Sequence, residues 1–205
     1  MPDAKKARNT RVLVLVGLAA VSITIGLEAL TAQGSSLSLA IRGMALMGYQ
    51  FVFLSIVSSA YMVELVRFFG RPFIKVHHVL SVSGLAFITL HPLLVALRAG
   101  SMSVFLPAFD SLERFLMLGG RPAWYLIAIA VCAALLRQRI GGWRSVHFLN
   151  YVAFALATAH ANLLGANFQS LAPRVVSWAM LAAVLAVFVH KRLRGRKPKR
   201  KPATS

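Results

Sequence analysis

Six histidines, at positions 77, 78, 91, 147, 160 and 190, are the residues of this chain whose placement asks for a chemical reason. Three of them lie in HHVLSVSGLAFITLH, residues 77–91, an almost uncharged stretch that reads as part of a membrane span. Imidazole is costly in hydrocarbon unless something holds it. Spacing sorts the histidines into pairs: His77 or His78 with His91 on one apolar segment, and His147 with His160 on another. The separations, 14 and 13 residues, each amount to roughly 20 Å of helix, most of the apolar thickness of a bilayer. Two helices carrying matched pairs offer two sites at two depths, each with two imidazoles. Zinc calls for three or four protein ligands. Haem iron in an electron-transfer cytochrome is satisfied by two axial ligands, so the pattern points to haem b, one at each level. One histidine in a span is explained by a bond to a neighbouring carbonyl, but four at matched depths are not. His190, beside Lys191, reads as interfacial, with no ligand role.

The elements that must position these rings follow from hydropathy. The chain has 205 residues, of which 58% are hydrophobic, and a mean hydropathy of +0.71, well above a soluble domain. The expected fold is an all-α integral membrane protein, a six-helix bundle with haem between spans 3 and 5. The spans run roughly Val12 to Leu30, Met44 to Val63, Phe73 to Leu97, Pro122 to Leu136, Ser145 to Leu164 and Val175 to Val189. The fourth is expected to start with Pro122 at its first helical position, where a missing N–H costs nothing. Around this domain, 12–190, stand a basic N-terminus, 1–11, and a disordered polybasic tail, 191–205.

The net charge of +18, from 23 Lys and Arg against 5 Asp and Glu, encodes orientation rather than a nucleic-acid groove, because most of the chain would lie in lipid. Eighteen of the cations fall at the N-terminus, in alternate loops (Arg67, Arg71, Lys75; Arg137, Arg139, Arg144) and in the tail. Five fall on the other side: Arg42, Arg98, Arg114, Arg121 and Arg174. Short-loop cations stay in the cytoplasm, so both termini are expected there, in the plasma membrane, with the first span retained. The tail reads as a topology anchor for anionic lipid, with an acidic partner as the sharper alternative. Residues 102–117 read as an interfacial helix on the outer face, or as a cap over a buried site. Cys132 is a packing residue that forms no intrachain disulfide.

Haem would need space between the histidine levels, for which Gly84, Ala86, Phe87, Ala153, Phe154, Ala155 and Ala157 are candidates. Its propionates would need cations: Arg71, Lys75 and Arg144 inside, and Arg98 or Arg121 outside. Gln50, Tyr61, Glu64, Asn150, Tyr151 and Asn162 are polar residues of the spans, read chiefly as satisfied packing groups, and Glu64 can pair with Arg67. On an ideal helix His77 and His91 differ by roughly 40° and His78 and His91 by roughly 140°. That favours His77, but His147 and His160 also differ by roughly 140°, so angle leaves the choice open.

RPFIKVHHVLSVSGLAFITLH, residues 71–91, and WRSVHFLNYVAFALATAH, residues 143–160, resemble the two haem-carrying helices of the ferric reductase-like transmembrane family. That family includes the membrane parts of ferric reductases and NADPH oxidases and the haem subunit of the methionine sulfoxide reductase system. The resemblance covers roughly residues 40–190 and is specific in the two histidine helices. It implies ligand spacings of fourteen and thirteen, with His77 and His147 on the inner haem iron and His91 and His160 on the outer. It implies an electron wire: entry at the inner haem, a hop to the outer, and exit outside to ferric iron, oxygen or an extracellular reductase.

The chain departs from the self-sufficient members of that family. A basic stretch of about fifteen residues follows the last span where those members carry a flavin and nicotinamide region, and no dinucleotide fingerprint occurs. The electrons must then come from a separate flavoprotein or a quinol. This is the trait of the sulfoxide-reductase haem subunit, whose members often lack the inner histidine of the first helix; a single-haem subunit is thus the alternative. From another class, a small cation transporter would want carboxylates along its path, and only Glu28 and Glu64 are present, near span ends. A structural anchor leaves the histidines unexplained.

Overall fold

The computed structural model describes residues 34–70 and 72–194. The first expected span, Val12 to Leu30, Arg71 and the tail beyond residue 194 lie outside the described residues. Among the described residues there are eight α-helices and no strand: α1 Ser36–Ala60, α2 Met62–Phe69, α3 Phe73–Ala99, α4 Leu112–Met117, α5 Gly120–Leu135, α6 Trp143–His147, α7 Leu149–Leu164 and α8 Leu171–Arg194. Three of them, α1, α3 and α8 as far as Arg192, are long and apolar enough to cross a membrane; α5 is apolar but shorter.

Local chemistry sets the helix ends. Ser35 caps α1 by accepting from the Ser38 N–H, and Ser111 caps α4 by accepting from the Arg114 N–H. Helix α3 stops at Gly100, whose φ of 61° is left-handed and whose N–H bonds back to Ala96 and Leu97. Its interior holds Pro92, directly after His91, a breaker that spanning helices tolerate when neighbours satisfy the freed backbone.

Several boundaries differ from the sequence reading. The second span does not run unbroken to Val63: α1 ends at Ala60, and Glu64 and Arg67 sit on the separate helix α2. Helix α5 starts at Gly120, so Pro122 is its third residue; the first turn has no acceptor for that N–H in any case. The fifth span is divided at Phe148 (φ −65°, ψ −15°) into α6 and α7. Residues 102–117 are not one interfacial helix but a 3-10 turn, Met102–Phe105, an irregular link and the short α4.

Two antiparallel pairs make the architecture. Helix α1 lies along α3, and α5 lies along α7, with α8 closing against α7 and α1. The first pair approaches closely because its contacts are small residues: a Cβ at Gly48 would stand 2.5 Å from the Ile88 Cγ2, and one at Gly84 would stand 3.2 Å from Val52. Helix association in an apolar medium rests on such packing rather than on hydrophobic burial. The core lies between α1, α5, α7 and α8, around Phe53, Ala153, Phe154 and Val184. Outward faces stay apolar, as at Val79, Val82, Leu93 and Leu97 of α3.

Candidate functional site

The four histidines of the matched pairs share one hydrogen-bond arrangement. The Nδ1 of His77 lies 3.1 Å from the Ser55 carbonyl, that of His91 3.1 Å from Ile41, that of His147 3.1 Å from Ala130 and that of His160 2.7 Å from Met117. A carbonyl only accepts, so each Nδ1 carries its hydrogen and donates it. The Nε2 of each neutral ring then keeps its lone pair. Metal-ligating histidines are held this way: the second nitrogen bonds a backbone carbonyl, which fixes tautomer and ring orientation.

The acceptors form ladders of the same spacing as the donors. Ser55 and Ile41 are 14 residues apart on α1, as His77 and His91 are on α3. Ala130 and Met117 are 13 apart, as are His147 and His160. Antiparallel neighbours rise equally per residue, so one ring at each end of a pair meets a carbonyl at each end of its partner. The rings of His147 and His160 both bond the segment that runs through α4 and α5.

His147 is among the charges that bear on His77, and His160 among those that bear on His91. His78 is exposed, forms no hydrogen bond to a described residue, and stands beside His77 with ring centroids 5.9 Å apart. His190 stacks on Tyr61 at 6.5 Å, at the junction of α1 and α2. Helices α3 and α7 do not pack against each other as a pair. Polar ties join the two halves: Trp124 on α5 donates its indole N–H to Thr89 on α3, at 3.0 Å, and the Tyr49 hydroxyl on α1 bonds the Thr158 hydroxyl on α7, at 2.8 Å.

The surroundings of the two levels differ. At the inner level Ser81 donates to the His77 carbonyl at 2.7 Å, so Ser55 donates to Ser81 at 2.6 Å, and the Ser55 oxygen, 3.2 Å away, shares the His77 N–H. Asn150 donates to the His147 carbonyl at 2.9 Å. At the outer level the rings have carbonyls alone, and a Cβ at Gly120 would fall 2.8 Å from the His160 Cδ2 and 2.9 Å from its Nε2. Gly120 is therefore a site residue that sequence reasoning treated only as loop.

Several expected space-formers do other work. Gly84 faces α1; Phe87 stacks on Phe51 at 5.5 Å; Ala153 and Phe154 are buried in the core, Phe154 stacked on Tyr49 at 4.7 Å. Ala155 and Ala157 are half-buried and Ala86 is exposed. Among the cations, Arg98 bears on His91 and Arg121 on His160, with Arg121 also bonded to the Leu106 carbonyl at 2.6 Å. At the end of the bundle that carries His77 and His147, Lys75 is exposed and Arg144 lies over its neighbour Trp143 at 5.0 Å. The cation that bears on His77 is Lys191, which the sequence reading assigned to the tail. From the loop 102–117, Met117, the last residue of α4, supplies the His160 acceptor. Asn162 donates to Thr158 and Ser177 on the opposite side of α7, and Tyr151 packs on Phe188.

Among the described residues no group of three or more His, Cys, Asp or Glu side chains is placed to hold a metal ion. Comparison with protein families, with curated proteins and with solved structures finds no match to this chain.

Proposed function

We propose that this chain is a b-type dihaem membrane cytochrome of the ferric reductase-like type, carrying electrons from a donor at the cytoplasmic face to an acceptor outside the cell. The observation that carries the reading is the pair of donor and acceptor ladders: four imidazoles at two depths, each with Nδ1–H spent on a backbone carbonyl and Nε2 left for a ligand bond. Haem bound there supplies a one-electron iron couple and four of the six ligands of each iron.

His77 and His147 would hold the haem of the inner level, and His91 and His160 that of the outer. The carbonyls of Ser55, Ile41, Ala130 and Met117 hold the rings in one tautomer and make Nε2 more basic. Arg98 and Arg121 offset the acidic propionates at the outer face. Six spans place both termini in the cytoplasm. The donor is a separate flavoprotein or a membrane quinol; the acceptor is ferric iron, oxygen or an extracellular reductase.

A pyridine haemochrome assay on the purified protein tests this reading. Two haem b per chain are expected. One haem turns the reading to the sulfoxide-reductase-like subunit; none overturns it, and ion flux in liposomes then tests the histidines as a cation path.

A further inference from the structure

The end of α8 reaches both inner ligand carriers at once. Lys191 is half-buried, and its Nζ donates to the Ser59 carbonyl at 3.2 Å and lies 3.5 Å from the Ser59 hydroxyl. Ser59 stands four residues from Ser55, whose carbonyl holds His77; on one helix that is a single turn, about 6 Å of rise. Lys191 and His77 thus bond carbonyls on adjoining turns of the same face of α1. The next residue, Arg192, turns to the other half: its guanidinium lies 4.9 Å over the Phe148 ring and 5.6 Å over Phe188, and Phe148 follows His147 in sequence.

Two explanations compete for Lys191. It satisfies a carbonyl in the last turn of α1, where a cation is favourable against the helix dipole. That is a packing role, and any donor of similar reach would serve. The alternative uses the charge. A half-buried ammonium is weakly screened, unlike the solvated cations of the tail. Asp and Glu are scarce in this chain, and the ion pair of Asp110 with Arg114 stands in the loop between α3 and α5. His78 and His147 also bear on His77, and neither is a carboxylate.

We propose that Lys191 is a positioning residue that supplies the fixed positive charge of the inner level, held in place by Ser59 and steadied on the His147 side by Arg192. The inference rests on the dihaem reading. Its consequence is specific: a cation beside the inner iron disfavours the oxidised, more positive state, so it raises the inner potential relative to the same site without it.

The test is a potentiometric titration of the purified full chain, with haem per chain measured alongside, on wild type, Lys191→Met and Lys191→Arg. Expected for Lys191→Met is a shift of one midpoint to more negative potential while the other holds. Lys191→Arg keeps the charge and should return the midpoint towards wild type. Should Lys191→Met shed one haem, retention of both haems and of the midpoint in Lys191→Arg still supports the proposal. Unchanged midpoints in Lys191→Met, or equal damage in both variants, overturn it and leave Lys191 a helix cap. A wild type without haem overturns the cytochrome reading first and this inference with it; a wild type with two haems and unmoved midpoints overturns this inference alone.

Discussion

The inner and outer histidine pairs use the same anchor in different company. Inside, His77 sits in a chain of hydroxyls, Ser55 and Ser81, with Asn150 beside His147 and Lys191 one helical turn along α1. Outside, His91 and His160 have one carbonyl each, with Gly120 pressed against the His160 ring and arginines nearby. The inner level is thus held by an adaptable polar network, and the outer by close packing. A polar network sets the field at a site through its dipoles and is costly to leave half-satisfied, whereas tight packing admits no added volume.

Ways to break the comparison begin with the ligands. His91→Ala or His160→Ala should remove the outer haem and His77→Ala or His147→Ala the inner, taking haem per chain from two towards one, whereas His78→Ala should leave two; a haemochrome assay on the five variants reads this directly. Next is Gly120→Ala, which puts a methyl where the His160 ring lies. Overpacking of this kind costs about 1–3 kcal/mol, so a lower melting temperature in detergent and selective loss of the outer haem are expected, and a variant as stable and as haem-rich as wild type would refute the packing account.

Smaller effects sharpen the contrast. Ser55→Ala leaves the Ser55 carbonyl in place and removes one hydroxyl, worth about 1 kcal/mol; haem content should hold while the inner midpoint alone moves. The smallest effect is expected at Asp110, exposed in the outer loop, whose carboxyl the Arg114 hydrogen bond holds below the usual carboxylate range. A depressed carboxylate stabilises the fold above its unfolded pKa, near 3.9, and the contribution fades as pH falls through the folded value. Asp110→Asn should therefore melt with wild type at acid pH and differ barely, if at all, at neutral pH; a large loss at neutral pH would mean that the loop carries more of the outer site than Met117 alone.

The histidine register was legible because 14 residues are close to four full turns, which keeps His77, Ser81, Gly84, Ile88 and His91 on one stripe of α3. Helix α3 itself was legible almost to the residue, since an apolar run bounded by Pro72 and Gly100 admits little else. The division at Phe148 was not, because Phe148 keeps helical backbone angles and no glycine or proline marks the place. Gly120 was legible as a glycine and illegible as a site residue, since what it accommodates lies 40 positions away.

The sequence by itself determined the apolar helices, the lopsided charge and the matched spacing of four imidazoles, all properties of residue type along one strand of chain. The tertiary structure alone decided which carbonyls receive the Nδ1 hydrogens and that Lys191 stands by Ser59, 132 positions earlier in the chain. The physical reason is that a backbone carbonyl is the same group in every residue, so its role as a partner is written nowhere in the sequence and arises when two helices fall into register.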